Sequence, residues 1–273
     1  MSAPTVTPVV AGVSGSAASL RAVETAAREA GTRGLPLRLV HALRYRHGVI
    51  DQARSAGGLL REARDIALAT APGLWTTVEL IEGDPVTGLL RLSRRAALTV
   101  IGDGSLDGHV CLPREATAVQ VAARAYGAVQ VVRGEAAPVG PVLAGISGPA
   151  SAAPVLEHAF AAAAAQGVDL HVVHAGESTH RLRALADVIA SRAYACGVVA
   201  RLDVVSGDPV AVLRRRSRDA SLVVVGARGE LPYHGLLGSV TQTLLHHARG
   251  PVVVVRAPRT APMRRVAELA GLT

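Results

Sequence analysis

A glycine-rich segment near the end of the chain carries the residue types best suited to holding an anion. It reads G-A-R-G-E-L-P-Y-H-G-L-L-G-S-V-T and follows a short run of valines. Its glycines let the backbone approach a ligand closely. Its last part opens a predicted helix, whose first amides have no acceptor inside the helix and attract negative charge. The candidate anion-binding residues are Gly226, Arg228, Gly229, Gly238, Ser239, Val240 and Thr241.

The chain offers no lysine for such an anion, because all of its 29 basic residues are arginine. A Walker A loop and a Schiff-base enzyme are therefore excluded. Phosphate would have to be held by backbone amides, by the hydroxyls of Ser239 and Thr241, or by arginine. Arg228 lies inside the glycine-rich segment, where phosphate contact and plain solvation are equally good interpretations.

No residue set in the sequence indicates catalysis or metal binding. There is no Ser-His-Asp order and no paired carboxylates, so we predict no catalytic and no metal-ligating residue. His41 and His174 lie at predicted strand ends between apolar residues, which favours hydrogen-bonded structural roles. Asp84 and Asp208 each precede a proline, which is typical of a turn and a helix N-cap.

A long internal repeat sets the architecture. The 20 residues from Gly83 to Gly102 recur from Gly207 to Gly226, an offset of 207 − 83 = 124, with twelve identical positions. Such self-similarity indicates two copies of one structural unit. We predict one domain over residues 1–135, a second over 140–258, and a C-terminal tail over 259–273.

Each repeat alternates short β-branched segments with longer amphipathic ones, which predicts an α/β fold. We expect two tandem, doubly wound, Rossmann-like domains, each with a five-stranded parallel sheet. One predicted helix covers Ser19–Ala30 and stops at Gly31. The predicted strands are 9–13, 37–42, 76–81, 98–101 and 129–132 in repeat one, and 142–146, 170–175, 200–205, 222–225 and 252–255 in repeat two.

The amino-acid composition of the chain limits the classes of partner that it can bind. The net charge is +8, but arginine is scattered over both repeats and aromatic residues are only 2% of the chain. Stacking platforms for nucleic acid are thus nearly absent, and we predict no nucleic-acid partner. No apolar run is long enough to span a membrane, and the first residues lack a signal-peptide pattern. We therefore expect a cytoplasmic protein without a membrane partner.

At this point the sequence resembles the universal stress protein family in its tandem-domain form, over nearly the whole chain. The family motif G-x2-G-x9-G-[ST] follows a strand and precedes a helix. The segments V-A-G-V-S-G-S, L-V-H-A, E-G-D-P and L-L-H-H-A-R-G-P-V-V-V-V support the resemblance. It implies a fold similar to the adenine nucleotide alpha-hydrolases and an ATP-binding subgroup. Gly226, Gly229, Gly238, Ser239 and Val240 would line the ribose and phosphates, and Ala175 would lie against adenine.

The chain departs from the family pattern in three ways. Eight residues, rather than nine, separate Gly229 from Gly238. The first strand of repeat two, which contains Gly145, is followed by Ser147 where the family usually has Asp. In repeat one, Ser105 replaces the second glycine, and the nine-residue spacing puts Glu115-Ala116 at the Gly-Ser position. A carboxylate there would repel phosphate, so repeat one should not bind ATP.

The leading hypothesis is therefore a stress-response regulator or scaffold that binds ATP, with Mg²⁺ as an option, or AMP or ADP, through its second domain. The alternatives are a degenerate member that acts by contacts with an unknown protein partner, and a slow ATPase. We also expect the fifth strands of the two repeats to pair, which gives an intramolecular pseudo-dimer. The sequence is compatible both with a monomeric chain and with a homodimer of two chains.

Overall fold

The chain divides into two units, Met1–Glu135 (unit 1) and Ala136–Thr273 (unit 2). The computed structural model describes residues 7–43, 49–104, 116–133, 138–176, 183–228 and 236–256. The predicted tail over 259–273 lies outside these residues. Both units are built from alternating strands and helices, so the predicted α/β class is confirmed.

Within its described residues, unit 1 contains five strands and four helices in strict alternation. All strand pairs are parallel, and the order across the sheet is β3-β2-β1-β4-β5. The central strands are buried on both faces and consist largely of Val, Leu and Ala. The elements are β1 Val9–Gly12, α1 Ala17–Arg33, β2 Leu37–Leu43, α2 Val49–Thr70, β3 Thr76–Glu82, α3 Pro85–Ser93, β4 Leu98–Gly102, α4 Thr117–Arg124 and β5 Val129–Val132.

Unit 2 repeats the same plan, with the order β10-β9-β6-β7-β8 and parallel pairing throughout. In each unit the first strand lies between the second and the fourth, so the strand order reverses beside it. The elements are β6 Val142–Ile146, α5 Pro149–Gln166, β7 Leu170–Ala175, α6 Arg183–Cys196, β8 Ala200–Val205, α7 Pro209–Arg216, β9 Leu222–Gly226, α8 Ser239–His247 and β10 Val252–Val255.

Helix α1 is longer than the sequence predicted. It passes through Gly31 and ends at Gly34, which adopts a left-handed conformation with φ 62°. The amide of Gly34 donates to the carbonyl oxygens of Ala30 and Gly31, so this glycine closes the helix. At its start, Ser16 caps the helix by accepting from the amide of Ser19 at 3.1 Å. The predicted stop at Gly31 was wrong because the left-handed turn, not the first glycine, ends the helix.

Two helices begin as the Asp-Pro pairs predicted. The carboxylate of Asp84 accepts from the amide of Thr87 at 2.9 Å, and that of Asp208 accepts from the amide of Ala211 at 3.0 Å. The proline that follows each Asp fills the first turn, where its missing N–H removes no helical hydrogen bond. These caps fix where α3 and α7 begin in the two units.

Candidate functional site

A pocket of about 340 Å³ opens at the carboxyl ends of β6 and β9 in unit 2. These two strands are neighbours, with Gly145 of β6 in register with Val225 of β9. The pocket therefore lies where the strand order reverses, which is the usual ligand position in open α/β sheets. Its lining residues are Gly145, Ile146, Ser147, Ser151, Val155, Ala175, Pro209, Leu213, Val225, Gly226, Arg228, Gly238, Ser239, Val240 and Thr241.

Nine of the ten candidate residues proposed from the sequence line this one pocket. Gly229 is the exception, because it lies outside the described residues. The structure brings these nine together from four segments of the chain, which span residues 145 to 241. They are Gly145, Ser147, Ala175, Gly226, Arg228, Gly238, Ser239, Val240 and Thr241.

The first turn of α8 provides one wall of the pocket. Gly238 is its N-cap, with φ −68° and ψ 157°, and no side chain caps the helix there. The amide of Gly238 donates to the carbonyl oxygen of Ala227 at 2.9 Å. The next amides are the ones that a helix leaves without an internal acceptor, and no acidic residue lies in the first turn. This wall therefore suits a negatively charged group.

Thr241 plays a different role from the one expected. Its side chain is buried, and its hydroxyl donates to the carbonyl oxygen of Gly226 at 2.6 Å. The single hydroxyl proton is thus used within the protein and is not offered to a ligand. Thr241 instead ties the start of α8 to the end of β9, and it thereby holds two walls of the pocket together.

Sequence reasoning missed the pocket residues that come from α5 and α7. Ser151 lies in the first turn of α5, and its hydroxyl is 2.8 Å from that of Ser147. Leu213 of α7 comes so close to Gly145 that an added Cβ there would be 2.9 Å from the leucine Cδ1. The Ser-x-x-x-Ser spacing was a usable signal for Ser151. Nothing in the sequence placed Leu213 against β6.

The two predicted structural histidines are confirmed as hydrogen-bonded. Nδ1 of His174 lies 3.2 Å from the carbonyl oxygen of Ile146, and Nδ1 of His41 lies 2.8 Å from that of Val13. Each bond joins the second strand of its unit to the residue at the end of the first strand or just after it. In unit 2 this contact holds Ile146 and the neighbouring Ala175 in place at the pocket.

In unit 1, α1 packs closely against the end of β4. An added Cβ at Gly102 would lie 2.7 Å from the backbone of Ala18 and of Ser19 in the first turn of α1. At Gly226, the equivalent glycine of unit 2, an added Cβ would lie 3.2 Å from the carbonyl oxygen of Arg228 and 4.0 Å from a methyl carbon of Val155 in α5. Among the described residues, the first helix therefore lies closer to this glycine in unit 1 than in unit 2.

A serine holds the loop after β1 in unit 1. The Oγ of Ser19 accepts from the amides of Ser14 and Gly15 at 3.0 and 3.2 Å, and its side chain is buried. The equivalent residue in unit 2 is Ala152, which has no polar side-chain atom. The loop between β6 and α5 therefore lacks this bond, and Ser147 pairs with Ser151 instead.

The sequence assigns Glu115-Ala116 to the Gly-Ser position. Ala116 is the N-cap of α4, and its carbonyl oxygen accepts from the amide of Gln120. Glu115 lies outside the described residues, so this assignment stays a prediction.

Among the described residues, no group of three or more His, Cys, Asp or Glu side chains is arranged to hold a metal ion. The same part of the chain contains no helix with the length and apolar character needed to cross a membrane.

The family model described as "Universal stress protein family" matches residues 5–133 and 175–256. These segments cover most of the chain and fall in both units. The chain therefore belongs to the universal stress protein family, as the sequence motifs predicted.

Sequence relatives agree with this assignment, and a solved structure agrees with the fold. Universal stress proteins of Mycobacterium bovis and Mycobacterium tuberculosis are each 30% identical to this chain, covering 92% of it and 95% of their own length. The crystal structure of a universal stress protein from Archaeoglobus fulgidus has a TM-score of 0.74 at 18% identity, over 91% of this chain and 96% of that one. At that identity the structure supports the fold alone.

Proposed function

We propose that this universal stress protein binds an adenine nucleotide in the unit 2 pocket and not in unit 1. The observation that carries the proposal is the convergence of Gly226, Gly238 and the first turn of α8 on one pocket at the strand reversal. Backbone amides and small residues at that position can hold a phosphate group without a lysine side chain. The size of the pocket falls in the range of small-molecule sites.

The two ends of the pocket differ in chemistry, and this supports one orientation of the ligand. Ser239, Val240 and Arg228 provide hydrogen-bond donors and one cation at the α8 end, where phosphate would lie. Ala175 and Leu213 belong to a set of apolar side chains that suits a flat base. The family resemblance implies the same arrangement, with adenine against Ala175.

We expect no nucleotide to bind at this position of unit 1. The backbone of α1 lies against Gly102, whereas the nearest described atom of α5 would be 4.0 Å from a Cβ added at Gly226. The buried Ser19 holds the loop after β1 with two hydrogen bonds, so moving α1 away would leave these amides without their acceptor. One site per chain is therefore the expected stoichiometry.

The site favours a regulator or scaffold over a turnover enzyme. Among its described lining residues there is no carboxylate or histidine in position to act as a general base. There are two alternatives. One is a slow ATPase, and the other is a degenerate family member that binds no nucleotide. We include in the proposal a cytoplasmic location and an unidentified protein partner that responds to the bound state.

Equilibrium dialysis with labelled AMP and labelled ATP tests the proposal. Saturable binding in the micromolar range, without release of inorganic phosphate, is the expected result. Absence of saturable binding for both nucleotides would support the degenerate member. Steady release of inorganic phosphate from ATP would support the ATPase, provided that a substitution in the pocket abolishes both nucleotide binding and phosphate release.

A further inference from the structure

Thr241 lines the proposed nucleotide pocket, yet its hydroxyl is used inside the protein. It is the third residue of α8, and its side chain is buried, with 3% of the residue exposed. Its Oγ1 donates to the carbonyl oxygen of Gly226 at 2.6 Å, near the short end of the usual range for O–H···O bonds. A buried hydroxyl engaged in this way acts on a ligand through the position of α8 rather than by donating to it.

A second bond joins the start of α8 to the same strand end. The amide of Gly238, the N-cap, donates to the carbonyl oxygen of Ala227 at 2.9 Å. Ala227 is itself held by the sheet, because its amide donates to the carbonyl oxygen of Val255 in β10 at 2.8 Å. A helix attached to this strand end by the Gly238 bond alone can turn about that bond, whereas a second attachment three residues later fixes its direction.

The direction of α8 matters most to a phosphate group. The amides of the first turn point along the helix axis, and a hydrogen bond weakens steeply when its angle departs from a straight line. The attraction of the helix dipole for an anion is also confined to the first turn. The base end of the pocket includes Ala175 of β7 and Leu213 of α7, which the Thr241 bond does not join. A change in the direction of α8 should therefore weaken contacts with phosphate more than contacts with the base.

Unit 1 builds the corresponding helix without this hydroxyl. Helix α4 occupies the same place in the order of elements, and the buried residues of its first turn are Ala118 and Val119. Neither side chain has a hydrogen-bonding atom. The hydroxyl of Thr241 is therefore not a general requirement of this element of the fold, which favours a role in the pocket of unit 2.

We infer that Thr241 is a positioning residue for the phosphate group of the nucleotide. Its bond to Gly226 holds the first turn of α8 in the direction in which the first-turn amides meet the phosphate. The inference rests on the proposed function, since it names a residue that sets the affinity of the same pocket for one part of the ligand. Loss of the bond should weaken the binding of a nucleotide and leave that of the nucleoside unchanged.

Thr241→Val tests the inference, because it removes the hydroxyl and keeps the shape of the side chain. In calorimetric titrations of the full chain, its affinity for AMP should fall by about tenfold, an effect of the size of one hydrogen bond. Its affinity for adenosine should stay within about twofold of the wild-type value. Thr241→Ser restores the hydroxyl and should recover most of the AMP affinity. A merely structural role would lower both affinities together.

Thr25→Val is the matched control. The hydroxyl of Thr25 donates to the carbonyl oxygen of Arg21 at 2.9 Å in α1 of unit 1, so the change removes the same kind of bond outside the pocket. The affinity of this variant for AMP should equal that of the wild type. Urea unfolding of both valine variants measures the cost to the fold separately.

Three results would overturn the inference while the wild type still binds AMP and the proposed function stands. They are equal weakening of AMP and adenosine in Thr241→Val, unchanged AMP affinity in that variant, and failure of Thr241→Ser to recover the affinity. Adenosine that does not bind the wild type would overturn it too, because the base end would then provide no affinity of its own. If the wild type binds neither ligand, the proposed function fails together with the inference.

Discussion

The described fold does not require a glycine at position 238. Its φ of −68° is open to any residue, and an added Cβ would meet the Cα of Arg228 at 3.6 Å, an ordinary contact. No contact with a described residue requires glycine there. Because the position also caps α8 beside the pocket, the missing side chain leaves room for a bound group.

Gly238→Asp should therefore separate binding from stability. Asp is a good N-cap, so the variant should be as stable as the wild type or a few tenths of a kcal/mol more stable. Its carboxylate would occupy the proposed phosphate position, so nucleotide affinity should fall by at least about tenfold. Urea unfolding and equilibrium dialysis measure the two quantities.

Gly238→Ser is the matched control, because it caps the helix without adding charge. Its nucleotide affinity should fall less than that of Gly238→Asp. Wild-type affinity in the Asp variant would show that the phosphate does not lie at α8.

At this scale the sequence predicted most of the site because its residues sit in one glycine-rich motif or at strand ends. Gly226 and Gly238 were chosen from the glycine-rich segment and from the family motif that it resembles. Ser151 and Leu213 were not, because their place in the pocket depends on how α5 and α7 pack on the sheet. The role of Thr241 was also missed, since the partner of a hydroxyl is a matter of tertiary contact.

At the scale of elements, the Asp-Pro caps are the local signals that the structure follows most closely. Asp208 caps α7, the helix that brings Leu213 to the pocket. Asp208→Ala should lower the free energy of unfolding by about 1 kcal/mol, because the Ala211 amide loses its side-chain acceptor. Asp208→Asn, which keeps an acceptor oxygen, should retain most of the stability in urea unfolding. An equal loss in both variants would show that charge, not capping, matters.

The β7–β8 strand pair should make stability depend on pH. His171 lies opposite Arg201, whose guanidinium donates to the imidazole Nδ1 at 3.1 Å. Burial first, and then the charge of Arg201, lower the pKa of His171, while Asp203 and Asp169 act in the opposite sense. The folded state thus resists protonation of this ring. Its full stability is present above the unfolded-state pKa of about 6.5 and is lost as pH falls through the folded-state pKa.

His171→Gln should remove this part of the pH dependence, because an amide oxygen can accept from Arg201 at every pH. As the pH falls below about 6.5, the wild type should lose stability relative to the variant. The loss should be less than about 1 kcal/mol of unfolding free energy, because the His171–Arg201 pair is partly exposed. Urea unfolding at a series of pH values measures it. If the difference in unfolding free energy between wild type and variant does not depend on pH, then the pKa of His171 is the same in the folded and unfolded states.

The elements themselves were largely predictable, and their ends were less so. Strands such as Val142–Ile146 and Val252–Val255 have the predicted bounds because buried parallel strands are continuous apolar runs. Helix α1 was predicted too short, since Gly31 looked like a stop. Helix α2, which has 22 residues, was not predicted.

At the scale of the whole molecule, the two copies of one fold differ near the end of the fourth strand. In unit 1 the first turn of α1 lies against Gly102, and Ser19 holds the loop after β1. Unit 2 has Ala152 in place of Ser19 and a pocket at Gly226. The asymmetry that the sequence predicts rests on Glu115, which lies outside the described residues, so it stays a prediction. The contact of Gly102 with α1 was not predicted, because it joins residues more than eighty positions apart.

The number of nucleotides bound per chain tests the central claim most directly. Calorimetric titration of the purified full chain with AMP and with ATP gives this number together with the affinity. The structure predicts a single site per chain, lost in Gly238→Asp and kept in a variant of unit 1 such as Ser14→Asp. Two sites per chain, or one site that survives Gly238→Asp unchanged, would contradict the assignment of nucleotide binding to unit 2 alone.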